Sequence, residues 1–449
     1  MKDTLAIICN YNRKNDVVNL IKSLQQQDSQ FFDILVVDNS STDDSIPHLK
    51  GVFPLINYLQ NSENLGGSGG FNAGLKYCLK HNYKYFILLD SDITLKHNCL
   101  SELRNSLLSD SSNGVIGSKI LFMNNPNKIQ ATGAKIDWQN LKLVDLNYGC
   151  LDNDSSEIFE VDYIPACTLM ARVEILKKIG LFKEDYFLYF DDVEWCSRIA
   201  ANGWKILVNT KAVTYHRGGN NQNTNSNVQR FYYTRNSCDF FTSHASYKIH
   251  SFSDIEIESR AEQICKNIFK FAFGSYSKGL FNIQLTFIDA LDCAIEGRLG
   301  RISDKYVRTI SNNTHERFDE IVNNIKGIVQ IDLSELEDNL KNYFKLQIDK
   351  TGFAIKYIEK NNEVSFVDSN KEVVTFKAVN SIYDYLNIID LTKDNTFFID
   401  AYFNVVSNTE ELTRYKSYDQ VYKFFLSIYK GRVIEKIKNN QANSLKSGT

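Results

Sequence analysis

The sequence predicts an α/β fold: a mostly parallel central sheet flanked by helices, followed by a helical region and an α+β C-terminal domain. Three features carry this expectation. Near-continuous apolar runs alternate with helically spaced apolar residues up to about residue 120. Aromatic-rich helical patterning fills 228–300, and beyond about 305 strand and helix signals mix in a Lys-, Asn- and Asp-rich style. Apolar strands joined by helices fit a parallel sheet covered on both faces, because each crossover lays a helix on the sheet.

Leu5-Ala6-Ile7-Ile8-Cys9 reads as a buried strand, and Val17, Val18, Leu20, Ile21 and Leu24 then recur at helical spacing. Ile34-Leu35-Val36-Val37-Asp38 is a second buried strand running into the polar, cap-rich loop Asn39-Ser40-Ser41-Thr42-Asp43. Ile56 to Leu59 is a weaker third strand. The glycine-rich stretch Gly66-Gly67-Ser68-Gly69-Gly70 reads as a loop before a helix from about Phe71 to His81. Tyr85 to Leu89 is the next strand and ends at Asp90-Ser91-Asp92. From about 120 to 220 the pattern is less regular. Asp191-Asp192-Val193-Glu194-Trp195 opens a helix reaching about Asn202, with Gly203 as its stop. Two short strand signals end at Tyr215-His216, and Gly218 to Asn227 reads as a loop or linker. The expected organisation is therefore 1–220, 221–300 and 301–449.

A net charge of −3 with no basic tail excludes a polyanion-wrapping protein, so no nucleic acid partner is expected. Nine cysteines stand singly with no CxxC pair, which suits inert thiols in a reducing cytosol rather than disulfides or zinc. The run Leu5 to Cys9 is too short for the apolar core of a signal peptide, and no run reaches the roughly 20 residues of a membrane span. Membrane contact is expected to be peripheral. The aromatic helices of 228–300 are candidates for membrane or subunit contact, as in a homo-oligomer, with an ordinary core as the plainer reading.

Parallel sheets bind ligands at the carboxyl ends of their strands. Asn10, Tyr11, Asp38, Asp90 and Asp92 all directly follow strands and should cluster. Asp90 and Asp92 offer carboxylates to a hard divalent cation, Mn²⁺ or Mg²⁺, with His216 a third ligand or else a satisfied strand-end histidine. Arg217 and the glycines after it could face phosphates. The Asp191-to-Glu194 group supplies a candidate general base; helix N-capping is the alternative. Gly66 to Gly70 could cradle a phosphate or could be a tight turn. Asp38 could read a pyrimidine or cap its loop, and Tyr11 could stack on a base or pack in the core.

Taken together, Asn10-Tyr11-Asn12-Arg13, Val36-Val37-Asp38-Asn39-Ser40-Ser41, Asn64-Leu65-Gly66-Gly67-Ser68-Gly69-Gly70-Phe71, Asp90-Ser91-Asp92, Asp191-Asp192-Val193-Glu194-Trp195 with Arg198, and His216 resemble family 2 glycosyltransferases. The likeness covers about residues 3 to 220 and extends weakly to Tyr232-Tyr233-Thr234-Arg235-Asn236 and Gly297-Arg298-Leu299-Gly300. It is nearest to bacterial galactofuranosyltransferases and rhamnosyltransferases. The resemblance implies the GT-A fold and inverting, metal-dependent transfer from a nucleotide-diphospho-sugar to a polysaccharide or lipid-linked glycan precursor. The donor would be UDP-galactofuranose or, alternatively, dTDP-rhamnose, and the site would lie at the cytoplasmic face of the membrane.

Residue by residue, the resemblance makes Asn10, Tyr11, Arg13, Asp38, Asn64, Gly66, Gly67, Ser91 and Asp92 the donor site, with Tyr11 and Asp38 on the uridine. It gives the cation to Asp90, Asp92 and His216, and makes Asp192, with Asp191 a second claimant, the general base. Trp195 and Glu194 would contact the acceptor, or Trp195 would support the base helix. Val161 to Cys167 lacks the Trp pair that mycobacterial galactofuranosyltransferases carry there. Two other classes compete. A nucleotidyltransferase usually carries its Gly-rich loop after the first strand, where Asn10-Tyr11-Asn12-Arg13 stands here. A non-catalytic carbohydrate binder would not need Asp90, Asp92, Asp192 and His216 intact.

Overall fold

The computed structural model describes residues 2–153, 156–217, 227–243, 252–276, 281–302, 322–323, 325, 328–334, 336, 341, 345, 355–358, 373–379, 396–400, 405–406 and 418–447. The glycine-rich stretch expected after Arg217 falls at 218–226, outside these residues. The chain packs as two compact units, one of residues 1–264, 290–307 and 432–449, the other of residues 265–289 and 308–431.

The first unit opens with β1 (Thr4–Asn10), α1 (Lys14–Gln25), β2 (Phe32–Asp38), α2 (Ser45–Val52), β3 (Asn57–Gln60), α3 (Gly66–Lys80) and β4 (Tyr85–Asp90). It continues with β5 (Ile93–Leu95), α4 (Cys99–Leu108), β6 (Asn113–Phe122), β7 (Asn125–Ala131) and the hairpin of β8 (Ala134–Asp137) and β9 (Lys142–Asp145). Then come β10 (Ile158–Glu160), β11 (Thr168–Arg172), α5 (Val173–Ile179), a 3₁₀ turn at Glu184–Tyr186, α6 (Asp191–Ala201), β12 (Lys205–His216) and α7 (Asn227–Ser243). Helices α8 (Asp254–Tyr276) and α9 (Phe281–Ile295) complete the expected helical region; residues 254–264 and 290–295 of them fall in the first unit and the rest in the second.

The ten-stranded sheet runs β10-β12-β6-β11-β4-β1-β2-β3, with β5 beside β12 and β7 beside β6. Strands β4, β1, β2 and β3 are mutually parallel, and only β11 reverses between β4 and β6 along the centre. Alternation along β1 explains the two layers. Leu5 and Ile7 point to a core with Leu75, Phe86 and Trp195, while Ala6 and Ile8 point to another with Val17, Leu20 and Leu103. Side chains two apart share a face, so one apolar strand feeds both cores. Gly203 takes φ +84° just past α6, as its stop role requires.

The two strand signals before His216 form one strand. A register shift between Asn209 and Val213 lets β12 follow β6 and then reach β5. The glycine-rich stretch is also different from its expected form: it is the first turns of α3, not a loop before it. A Cβ on Gly70 would lie 2.3 Å from Cys9 Sγ, and one on Gly74 2.3 Å from Ile7 Cγ2. Glycine four residues apart thus lets α3 press onto the end of β1.

The second unit contains a five-stranded sheet of β13 (Ile328–Asp332), β14 (Lys356–Ile358), β15 (Val373–Val379), β16 (Thr396–Asp400) and β17 (Val405–Val406). Its order is β14-β13-β15-β16-β17, with all pairs parallel but the last. Ile331, Phe376, Ala378 and Ile399 form its core. A last helix, α10, spans Tyr418–Ser447.

Candidate functional site

Parallel pairing sets Asn10 opposite Asp38 and Cys9 opposite Asp90, so the strand-end polar residues do meet. Antiparallel pairing of β5 with the end of β12 places His216 opposite Ile93. His216 Nε2 consequently lies 3.2 Å from Asp92 Oδ1. One ligand atom each from Asp90, Asp92 and His216 falls within 4.8 Å of the others. Two carboxylates and an imidazole at that spacing could hold a divalent cation.

Electrostatics bind the cluster further. Burial, with the charges of Asp92 and Asp191, pushes Asp90 up to about 6 against the pull of His216. Burial would raise Asp92 as well, but the hydrogen bond and charge of His216, with Arg13, hold it below the usual range. Burial would lower His216; its bond to the Asp92 carboxylate and the charge of Asp90 outweigh it and raise the imidazole. Arg13 Nη1 stands 3.8 Å from Asp92 Oδ2 and 3.3 Å from Asp16 Oδ2, and Arg217 Nη2 stands 2.8 Å from Asp16 Oδ1. Asp16 therefore aims two guanidiniums at the edge of the cation cluster.

A cavity of about 410 Å³ opens there, lined by Tyr11, Arg13, Asn64, Gly66, Gly67, Ser91 and Asp92 among others. Tyr11 is 42% exposed, which removes the core-packing alternative. A second cavity of about 390 Å³ holds Asp191, Asp192 and His216, with Tyr148, Tyr163, Tyr189 and Tyr233. Gly67, Phe71, Asp90 and Leu188 line both.

Asp192 sits at the start of α6, where its Oδ2 accepts from Ala166 N–H at 3.2 Å and its Oδ1 from its neighbour Val193 N–H at 2.9 Å. Burial, then the Asp191 charge, raises its carboxyl well above the ordinary value. Asp191 is raised too, by burial, although Ser68 Oγ donates to its Oδ2 at 2.9 Å. The approach to α6 is strained: Phe187, Tyr189 and Phe190 have φ of +62°, +63° and +65°. Left-handed backbone costs a non-glycine residue on the order of 1–2 kcal/mol, so surrounding contacts must hold it.

Five expectations need correction. Trp195 is fully buried, its ring 4.8 Å from that of Phe182 and its Nε1–H donating to Gly180 O, so it supports the helix and contacts no acceptor. Glu194 is 5% exposed and takes two 2.8 Å bonds from Arg198, which also ties down the carbonyls of Ile179 and Leu181. Asp38, 2% exposed, accepts from Asn10 Nδ2, Ser41 Oγ and Ser41 N–H: it caps its loop rather than reading a base. Asn10 is fully buried in the same network and lines neither cavity. The glycine stretch is no open cradle either, since the N–H groups of Gly66 and Ser68 bond to Asn64 Oδ1 and Phe187 O.

Sequence reasoning missed Gln130, whose Oε1 meets His216 Nδ1 at 3.1 Å across 86 residues of chain. It also missed the cavity tyrosines and Arg301, which reaches the first cavity from far outside the N-terminal motifs. No local pattern marks Gln130, Tyr148 or Arg301; Tyr233, Arg235 and Asn236, by contrast, stood in a quoted motif without a role.

A largely parallel sheet thus carries, at its strand ends, a cluster that could hold a cation, beside one cavity of about 410 Å³ and a second that holds paired acids. Residues 5–180 match the family model described as glycosyl transferase family 2. The low-salt glycan biosynthesis hexosyltransferase Agl10 of Haloferax volcanii is 24% identical over 200 residues, 44% of this chain and 62% of that protein. An uncharacterized glycosyltransferase of Haemophilus influenzae is 30% identical over 101 residues, 22% of this chain and 30% of that one. The chain thus spans less than two thirds of the length of either relative. Among solved structures, S. aureus TarS 1–349 in complex with UDP-GlcNAc aligns at TM-score 0.45 and 18% identity, covering 66% of this chain and 81% of that chain. No helix among the described residues is long and apolar enough to cross a membrane.

Proposed function

We propose that this protein transfers a sugar, with inversion, from a nucleotide-diphosphate donor to a hydroxyl of a glycan or lipid-linked glycan precursor. The observation that carries the reading is the shared wall of the two cavities: Asp90 faces both, Asp92 lines the first, and His216 lines the second with Asp192. Agl10 is by its name a hexosyltransferase of glycan biosynthesis, which supports a hexosyl donor.

In this reading Tyr11 stacks on the base, and Arg13, Asn64 and Ser91 bind the diphosphate side of the donor. Asp90, Asp92 and His216 would hold Mn²⁺ or Mg²⁺. Such an ion, when bound, neutralises charge on a departing diphosphate. Asp192 takes the proton of the acceptor hydroxyl. Its raised pKa makes it a stronger base than an ordinary carboxylate, nearer the neutral range where a general base works best. Asp191, held by Ser68, adds the negative charge that raises it. Tyr148, Tyr163, Tyr189 and Tyr233, which line the second cavity, would meet the acceptor sugar, in place of the Trp pair of mycobacterial galactofuranosyltransferases. UDP-galactofuranose is the first donor to try and dTDP-rhamnose the second. A lipid-linked acceptor would place the reaction at the cytoplasmic membrane face, reached by peripheral contact.

The test is release of nucleoside diphosphate from a panel of nucleotide sugars, with acceptor glycans, in Mn²⁺ and in chelator. Metal-dependent release from one donor is expected, falling about 1,000-fold in Asp192→Asn. Wild-type turnover by that variant would remove Asp192 from the mechanism. No release from any donor would remove the reading.

A further inference from the structure

The loop that delivers Asp191 and Asp192 divides the two cavities: Phe187 and Leu188 line the first, Leu188, Tyr189 and Phe190 the second. Three of its residues are left-handed without being glycine. The groups that hold it come from α7. Asn236 Nδ2 lies 2.9, 2.8 and 2.8 Å from the carbonyl oxygens of Tyr186, Leu188 and Tyr189. Arg235 Nη2 donates to Asp185 O and Tyr186 O at 3.2 and 3.1 Å, and its Nε donates to Asn236 Oδ1 at 2.9 Å, which aims the amide at the loop. Both side chains are fully buried and line neither cavity.

The same guanidinium reaches the far side of the site. Arg235 Nη1 donates to Gly300 O at 2.6 Å, and Gly300 N–H donates back to Asp185 O at 2.6 Å. The next two residues, Arg301 and Ile302, line the first cavity, and Ile302 N–H is held by Tyr232 Oη at 3.0 Å. Tyr232 stacks on Phe187, with centroids 5.1 Å apart. One buried Arg–Asn pair therefore joins the loop before the base to the wall opposite it. A guanidinium fork and an amide suit this task, because each presents several fixed N–H donors to carbonyls that secondary structure leaves unmatched.

We propose that Arg235 and Asn236 are positioning residues for transfer: they fix Asp185–Phe190 and Gly300–Ile302 in one arrangement, so that donor and Asp192 meet in register. The inference rests on the transfer reading above. It predicts a loss in turnover without a matching loss in donor binding, since neither residue touches either cavity.

The test uses the full chain with Asn236→Asp, which keeps the shape but turns a donor into a carboxylate facing three carbonyls, and with Arg235→Lys, which keeps charge but loses the fork. Two readings are taken: kcat and KM with the donor that the wild type uses, and amide hydrogen exchange. Expected for Asn236→Asp is a kcat about 100-fold lower with donor KM within about threefold. Faster exchange should be confined to 185–190 and 298–302, with a smaller effect of the same pattern in Arg235→Lys. Unchanged kcat and exchange, or exchange rising evenly over the whole sheet, would overturn the proposal. Should Asn236→Asp not fold, Arg235→Lys decides by the same readings. A wild type that turns over no nucleotide sugar defeats the transfer reading, and exchange at 185–190 then shows whether the pair holds the loop at all.

Discussion

Gln130 Oε1 lies 3.1 Å from His216 Nδ1, on the ring edge opposite the one that faces Asp92. An acceptor at Nδ1 keeps a proton on that nitrogen and leaves Nε2 as the natural ligand atom, fixing ring orientation as it does so. Gln130→Ala should therefore weaken Mn²⁺ binding about 10-fold or more, although Gln130 itself is not a proposed ligand. Counting free Mn²⁺ by electron paramagnetic resonance checks this. Equal affinity in variant and wild type would mean that the ring is oriented without it.

A second prediction follows from the raised carboxyl of Asp192. An unfolded Asp titrates near about 3.9. With a folded pKa above that, the proton-linked stability is complete below the unfolded value and is lost as pH rises through the folded value. The loss is at most about 1.4 kcal/mol per pH unit. Asn cannot ionise. The melting temperature of Asp192→Asn minus that of the wild type should therefore grow as pH is raised from about 4 and level off above the folded pKa. A difference that stays flat over that range would show that Asp192 ionises as freely in the folded protein as in the unfolded chain.

How far the sequence could be read depended on the range of the interactions involved. The apolar runs Leu5 to Cys9 and Tyr85 to Leu89 announce β1 and β4, because burial on both faces leaves no polar alternative in the strand itself. Asp90, Asp92 and His216 were legible as a cluster for the same reason: strand ends of one sheet converge. What failed was inference about side-chain direction. Trp195 follows Asp192 by three residues, which a helix keeps on neighbouring positions of one face; its burial comes instead from Phe182, Phe86 and the Gly180 carbonyl, which no local pattern announces. Asp38 follows a strand like Asp90 does, yet Ser41 and Asn10 are close enough to satisfy it internally. Gln130 and Arg301 were invisible because their neighbours are set by long-range pairing alone.

Gly66 gives a sharper test of the packing. Its φ is +72°, and an added Cβ would stand 2.1 Å from Phe187 O and 2.7 Å from the Phe187 ring. The carbonyl cannot retreat easily, because it accepts from Ser68 N–H. Gly66→Ala should cost more than about 2 kcal/mol of stability and displace the loop before Asp191. Gly51, with ordinary φ in α2 and nothing within 4 Å of an added Cβ, is the control. Gly51→Ala should stabilise by about 0.5 kcal/mol through the unfolded chain. Chemical denaturation of the two variants checks both, and a Gly66→Ala midpoint equal to that of the wild type would contradict the close approach.

Trp195 separates a structural role from an acceptor role. Its ring fills space between Phe182 and Phe86, with centroids at 4.8 and 6.1 Å, and its indole N–H meets Gly180 O at 3.2 Å. Trp195→Phe removes volume and leaves that carbonyl without the indole, a loss of about 1–3 kcal/mol. The damage is expected in α6 as a unit, so the melting temperature should fall while acceptor KM, measured well below that temperature, stays within about twofold of wild type, the pattern expected when no ground-state contact is lost. An acceptor contact would give the opposite pattern, because a residue at a binding surface changes affinity with little effect on folding. A raised KM at unchanged melting temperature would therefore return Trp195 to the acceptor site.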